Sequence, residues 1–150
     1  MKPNHFLYLG AENWVHPAWL RDFYPEGLPE DWLLSYYNTQ FQTVYLPAAV
    51  WRQARPETWT QWLYDTQEGF VFIVEASPDS ALPASERVRV ATAAWQTAHV
   101  WWLDESADLR ALSRRIREHA ATGEELFILS RVGDLALLQQ VKALREVLGY

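Results

Sequence analysis

The chain contains no cysteine. That excludes a disulfide framework, a thiolate metal site and a cysteine nucleophile, and it fits a reducing compartment, so a cytoplasmic location is expected. Long apolar runs are also missing. None approaches the ~18 residues of a membrane span, so no membrane partner is expected. The opening residues, Met1-Lys2-Pro3-Asn4-His5, have neither an apolar signal core nor a small-residue cleavage site, so no export signal is expected. Positive charge is in deficit: 13 Lys and Arg stand against 19 Asp and Glu, a net charge of −6. A chain of that sign is a poor ligand for phosphate backbones, so no nucleic-acid partner is expected. Glycine-based nucleotide motifs are absent. Gly10-Ala11-Glu12-Asn13 lacks the later glycines that let a pyrophosphate approach a helix, and Ser130 lacks a Gly-x-Ser-x-Gly elbow. No cofactor is expected from these patterns.

What is present is aromatic. The 150 residues include 9 Trp, 7 Tyr and 6 Phe, which is enough large rings to fill a core and line a pocket as well. The length suits one α/β domain over residues 1–150. Apolar runs and helical periods alternate along it. Phe6 to Leu9, Thr43 to Leu46, Phe70 to Val74, His99 to Leu103 and Leu126 to Leu129 read as strands. Phe70 to Val74 is a continuous apolar run, the character of a strand covered on both faces. Between them, helices are expected from Pro29 to Asn38, from Pro56 with Trp59, Trp62 and Leu63 on one side, and from Ala84 to Thr97. The third rests on Ala84, Val88, Ala91 and Trp95 at helical spacing. Two more run from about Ser106 to Ala121, stopped by Gly123, and from an Asp134 N-cap to Leu148, stopped by Gly149. The stretch Pro78 to Pro83 reads as a loop, too short for a domain boundary. Arg110, Arg114 and Arg117 share one side of the fourth helix and read as a solvated face. The fold expected is therefore α/β, with a five-stranded parallel sheet and right-handed crossovers.

Several words in the first half carry a resemblance. Phe23-Tyr24-Pro25-Glu26-Gly27-Leu28-Pro29 and Phe41-Gln42-Thr43-Val44 are the most specific, supported by Pro56-Glu57-Thr58-Trp59 and Glu68-Gly69-Phe70-Val71-Phe72. In this order, over about residues 5–76, the chain resembles the YecE-like family, domain of unknown function 72. That resemblance implies a barrel of alternating strands and helices. A full eightfold barrel needs about 200–250 residues, so the chain reads as a truncated TIM-barrel-like arc, with its first three strands side by side in order. The family's typical polar strand ends are replaced. Gly-Thr-Ser-Gly-Trp becomes Gly10-Ala11-Glu12-Asn13-Trp14, the Glu and Asn of the second strand become Tyr45 and Pro47, and a Lys after the third becomes Glu75.

Ligands of parallel α/β sheets sit beyond the carboxyl ends of the strands. Candidates there are Glu12, Trp14, His16 and Trp19 after the first strand, and Trp51 and Arg52 after the second. Glu75 ends the third, Trp102 and Asp104 the fourth, and Arg131 follows the fifth. The leading expectation is a non-catalytic ligand-binding or protein-interaction domain with a shallow small-molecule pocket ringed by Trp14, Trp51 and Trp102. The alternative is a carboxylate- or metal-dependent hydrolase or isomerase using Glu12, His16, Glu75 and Asp104, with Arg131 holding an anionic group. No metal is assigned on the leading reading. The Trp14–Tyr24 loop is expected to fold over the open inner face, and a homodimer to cover the open sheet edge.

Overall fold

A computed structural model describes residues 5–78 and 81–150. The residues Met1–Asn4 and the Asp79-Ser80 segment of the expected loop lie outside them. The first strand, β1, is Leu7–Glu12. It is followed by a single turn α1, Trp19–Asp22, then by a 3-10 helix, Glu30–Trp32, that opens α2, Leu33–Gln40. Then come β2 (Thr43–Leu46), a short α3 (Ala48–Trp51), α4 (Pro56–Asp65) and β3 (Val71–Glu75). The second half holds β4 (Val88–Ala91), α5 (Ala93–His99), β5 (Val100–Trp102), α6 (Leu109–Thr122), β6 (Leu126–Ser130) and α7 (Leu135–Leu148). None of these helices is long and apolar enough to cross a membrane.

All strand pairings are parallel, in the order β4-β3-β2-β1-β6-β5. The first three strands are side by side, as expected. The sheet has six strands, however, not five. The extra one, β4, replaces the first half of the helix expected from Ala84. Val88, Ala91 and Trp95 do fall at helical spacing, but Val88-Arg89-Val90-Ala91 also alternates, and the exposed backbone edge of β3 rewards the alternation. Arg87 then locks the choice. Its guanidinium donates to the carbonyls of Phe70 (2.8 Å) and Leu63 (3.0 Å) and to the Thr66 hydroxyl, while its own carbonyl accepts from Phe72 N–H at 2.7 Å. Helix resumes only at Ala93, where the Thr92 hydroxyl accepts from Trp95 N–H.

The strand order is cyclic, with its break between the consecutive strands β4 and β5. The sheet curls toward closing that break, which makes a half-barrel. Tyr45 on β2 and Trp102 on β5 meet edge to face at 5.1 Å. Three strand steps separate them, about 14 Å in a flat sheet. Inward-facing Tyr45, Val71, Ile73, Ala91, Val100, Phe127 and Leu129 pack into one inner core, and Trp95 of α5 reaches Phe127 across the break at 5.4 Å. The alternate residues, among them Leu9, Val44, Leu46, Phe72, Val74 and Ile128, pack outward against the helices. The aromatic loop joins this outer layer: Trp19 and Tyr24 are buried with Tyr37 and Phe41. It does not cover the inner face, because its rings find a deeper apolar bed beside α2.

At the amino ends of the strands the curl is held by charge. Arg89 of β4 forms a bidentate pair with Glu125, which precedes β6, and Tyr8 of β1 donates to the same carboxylate at 2.9 Å. Burial and Glu125 together push the Tyr8 phenol up to about 12. Burial works against ionisation of Glu125. The hydrogen bonds from Arg89 and Tyr8 and the Arg89 charge outweigh it, so the carboxyl sits below its ordinary value. A depressed carboxyl contributes stability above its unfolded value of 4.5 and loses it as pH falls through the folded one. Glu125→Gln is therefore expected to cost about 1–2 kcal/mol at neutral pH. In denaturant titrations the gap to the parent protein should narrow below about pH 4.5. A gap that does not change with pH would contradict this role for Glu125.

Candidate functional site

The carboxyl ends of the strands form a rim on the half-barrel. Glu12 closes β1 and stands opposite Tyr45 in the β1–β2 register. Trp102 closes β5, and Arg131 follows β6. The side chain of Arg131 pairs with Glu12 at 2.7 Å, and its guanidinium carbon lies over Trp102, 3.8 Å from the ring centre, with the Tyr45 ring at 5.9 Å. Guanidinium on indole is a favourable arrangement for a partly exposed cation. Asp104 anchors the backbone that carries it. Its carboxylate accepts from the Ser130 hydroxyl at 3.1 Å and from the Arg131 and Val132 backbone N–H groups. Trp102 N–H in turn reaches Gln96 at 3.3 Å. On the far side of Tyr45, Glu75 accepts from Ala48 N–H at 2.7 Å, at the start of α3. Burial, and next the Glu75 charge, raise the Tyr45 phenol above its ordinary value, so the ring stays a neutral donor. Glu12, Glu75, Trp102, Asp104 and Arg131 thus come together as the sequence suggests, but each carboxylate is already engaged by the chain itself.

The other candidates lie elsewhere. Trp51 is 2% exposed and donates to the Glu75 carbonyl at 3.0 Å. Trp19 is 1% exposed and donates to the Gly133 carbonyl at 2.9 Å. His16 packs on Trp19 with ring centres 4.4 Å apart and has Nε2 at 3.3 Å from the Asn13 carbonyl. Trp14 meets Trp62 edge to face at 5.2 Å, in the helical layer. Trp14, Trp51 and Trp102 therefore ring no common pocket: Trp14 and Trp51 lie in the outer helical layer beside two different grooves, while Trp102 packs against the inner core. Among the described residues, no group of three or more His, Asp and Glu side chains is placed to hold a metal ion. Arg110, Arg114 and Arg117 are exposed on α6.

Two grooves flank the rim on its outer side. The first, about 470 Å³, runs between α3, α4 and residues 81–83; its walls include Trp51, Trp59, Leu63 and Leu82, with Arg52 at its edge. Trp59 is 3% exposed, and its indole N–H has no partner among the described residues. The second, about 730 Å³, is floored by Trp14, Trp62, Leu33 and Leu34 and edged by Glu30, Asp31, Glu57 and Asp65. Neither is lined by the engaged rim residues.

Sequence reasoning missed Tyr45 and Trp59 as site residues. Tyr45 reads as the loss of a family glutamate, yet its inward register position beside Glu12 makes it the centre of the rim. Alternation along Thr43-Val44-Tyr45-Leu46 contains that signal. For Trp59, helical spacing gives only burial, and nothing in the sequence marks an unpartnered N–H.

Residues 8–98 match the model of a family described as a protein of unknown function, DUF72. The match extends beyond the words quoted from residues 5–76 and takes in β4 and most of α5. Neither a curated protein nor a solved structure matches the chain.

Proposed function

The chain belongs to the DUF72 family, and on that premise we propose that it is a non-catalytic ligand-binding domain built on a half-barrel. One observation carries the reading. The charged groups at the strand ends are satisfied internally, with Arg131 closed onto Glu12 and Trp102, while the adjacent groove of about 470 Å³ is open and apolar. Its volume falls in the range of small-molecule sites, and it lies near the carboxyl ends of β2 and β3, where ligands of parallel sheets collect. A calorimetric screen of purified protein tests it. Small apolar ligands should bind, Glu12→Ala and Glu75→Ala should leave that binding within about twofold, and Leu82→Glu in the groove wall should abolish it. Loss of binding in the two rim variants with retention in Leu82→Glu would overturn the reading.

The alternative, a carboxylate-dependent hydrolase or isomerase, draws on one observation: Glu12, Tyr45 and Glu75 share the rim. It requires Arg131 to release Glu12 so that a substrate can enter. Metal content with and without chelator, and turnover of ester and phosphoester substrates lost on Glu12→Ala, would favour it. The homodimer belongs to the same proposal, with β4 and β5 as the edges a second copy would cover. A monomer in light scattering at high concentration removes the homodimer from it.

A further inference from the structure

The groove beside α3 and α4 is chemically one-sided. Its walls are the rings of Trp51 and Trp59 and the side chains of Leu63 and Leu82. Among the described residues, Arg52 is the charged residue lining it, and no carboxylate does. Arg52 is exposed and forms no ion pair among the described residues. Glu75, the carboxylate at the end of β3, accepts from the backbone N–H of Ala48. The neighbouring groove is opposite in character, with Glu30, Asp31, Glu57 and Asp65 along its edge. In a protein of net charge −6, the smaller groove is thus an apolar bed with a cation at its mouth. Trp59, in its wall, is buried, and its indole N–H has no acceptor among the described residues.

We infer that this groove binds a small apolar monocarboxylate, an aryl- or alkyl-substituted acid, whose carboxylate pairs with Arg52 and whose body lies on Trp51, Trp59 and Leu82. The inference rests on the binding-domain reading and adds the ligand's chemical class to it. Three features select that class. The apolar walls require a hydrophobic body. Arg52 requires an anion, because a guanidinium–carboxylate hydrogen bond is stronger than its neutral counterpart. With no lining carboxylate among the described residues, an amine finds no counter-charge there.

Isothermal titration of the full chain tests this with six probes: 3-phenylpropanoate and hexanoate, their two amides and the two corresponding amines. The acids should bind about fivefold or more tightly than the amides, and the amines more weakly still. Arg52→Met keeps the apolar stem of an exposed residue and removes its charge, so it should bring the acids down to the level of the amides. Equal binding of acids and amides, or an acid preference that survives Arg52→Met, overturns the inference while the binding-domain reading stands. Tighter binding of the amines overturns it too. If none of the six probes binds at millimolar concentration, the reading and the inference fall together.

Discussion

Trp19→Ala is expected to remove about 3–5 kcal/mol of stability, a large share of the ~5–15 kcal/mol that holds a typical domain folded. The ring is 1% exposed and is packed by His16, Phe23, Tyr24, Tyr37 and Phe41 at centroid distances from 4.4 to 6.2 Å. Deleting it leaves a cavity that this crowd of stiff rings cannot fill by small shifts. The loss has a second component. The indole N–H donates to the carbonyl of Gly133, tying the loop after β1 to the loop before α7. Gly133 itself is matched to the ring. It has φ of +67°, and a Cβ there would stand 2.9 Å from Trp19 Cζ2. Trp19→Phe keeps most of the packing and should cost less, about 1–3 kcal/mol, chiefly from the unpaired carbonyl and the smaller ring. Denaturant unfolding followed by circular dichroism measures both. The alanine variant should melt about 10 °C or more below the parent. A loss under about 1 kcal/mol would show that Trp19 belongs to a surface site and not to the core.

Gly10→Ala is expected to be as damaging or worse, for a reason that no propensity scale contains. Gly10 stands opposite Thr43 in the β1–β2 ladder. A methyl group on it would lie 1.9 Å from the Thr43 carbonyl oxygen and 2.8 Å from the Tyr37 hydroxyl. Neither neighbour is free to move. The Tyr37 hydroxyl is inserted between the strands, where it accepts from Ala11 N–H at 2.8 Å and donates to the Thr43 carbonyl at 2.6 Å. Tyr37 has no exposed surface, and burial pushes its phenol well above the ordinary tyrosine value, so it acts as a neutral relay. One added methyl must therefore push β1 and β2 apart or expel the relay. A loss beyond about 3 kcal/mol is expected, seen as insoluble expression or a collapsed unfolding midpoint. Tyr37→Phe isolates the relay. It leaves a buried N–H and a buried carbonyl unpaired, which should cost about 1–3 kcal/mol. If Gly10→Ala folds within about 1 kcal/mol of the parent, the close approach of the two strands is not a constraint.

These two positions bear on how much of the site is legible in the sequence. Trp19 sits in an aromatic loop beyond β1, and loop aromatics at strand ends are reasonable ligand contacts. Only the packing of α1 against α2 turns it into core. The rim is more legible: Glu12, Glu75, Trp102, Asp104 and Arg131 are all expected at strand ends, and they do converge. What the sequence does not supply is which group satisfies which. Glu75 accepts from Ala48 N–H because α3 begins directly after Pro47 and brings its first backbone donor to the end of β3. Arg52, beside the apolar groove, has no ion pair among the described residues.

Local signals alone determined much of this protein. Apolar runs located five of its strands, since a strand covered on both faces has no polar positions to alternate with. Asp134 starts α7, and the left-handed glycines Gly123 and Gly149 end α6 and α7, where capping chemistry requires. Absence of cysteine excluded whole classes of chemistry outright. Tertiary structure decided the rest. It made Val88–Ala91 a strand, because the open edge of β3 offered hydrogen bonds that a helix would have forgone. It also curled the sheet so that Arg89 reaches Glu125 and Trp102 reaches Tyr45. Those contacts join residues 36 and 57 positions apart in the chain. No local pattern carries that information, because it arises only when the twist of six paired strands brings the two ends of the sheet around toward each other.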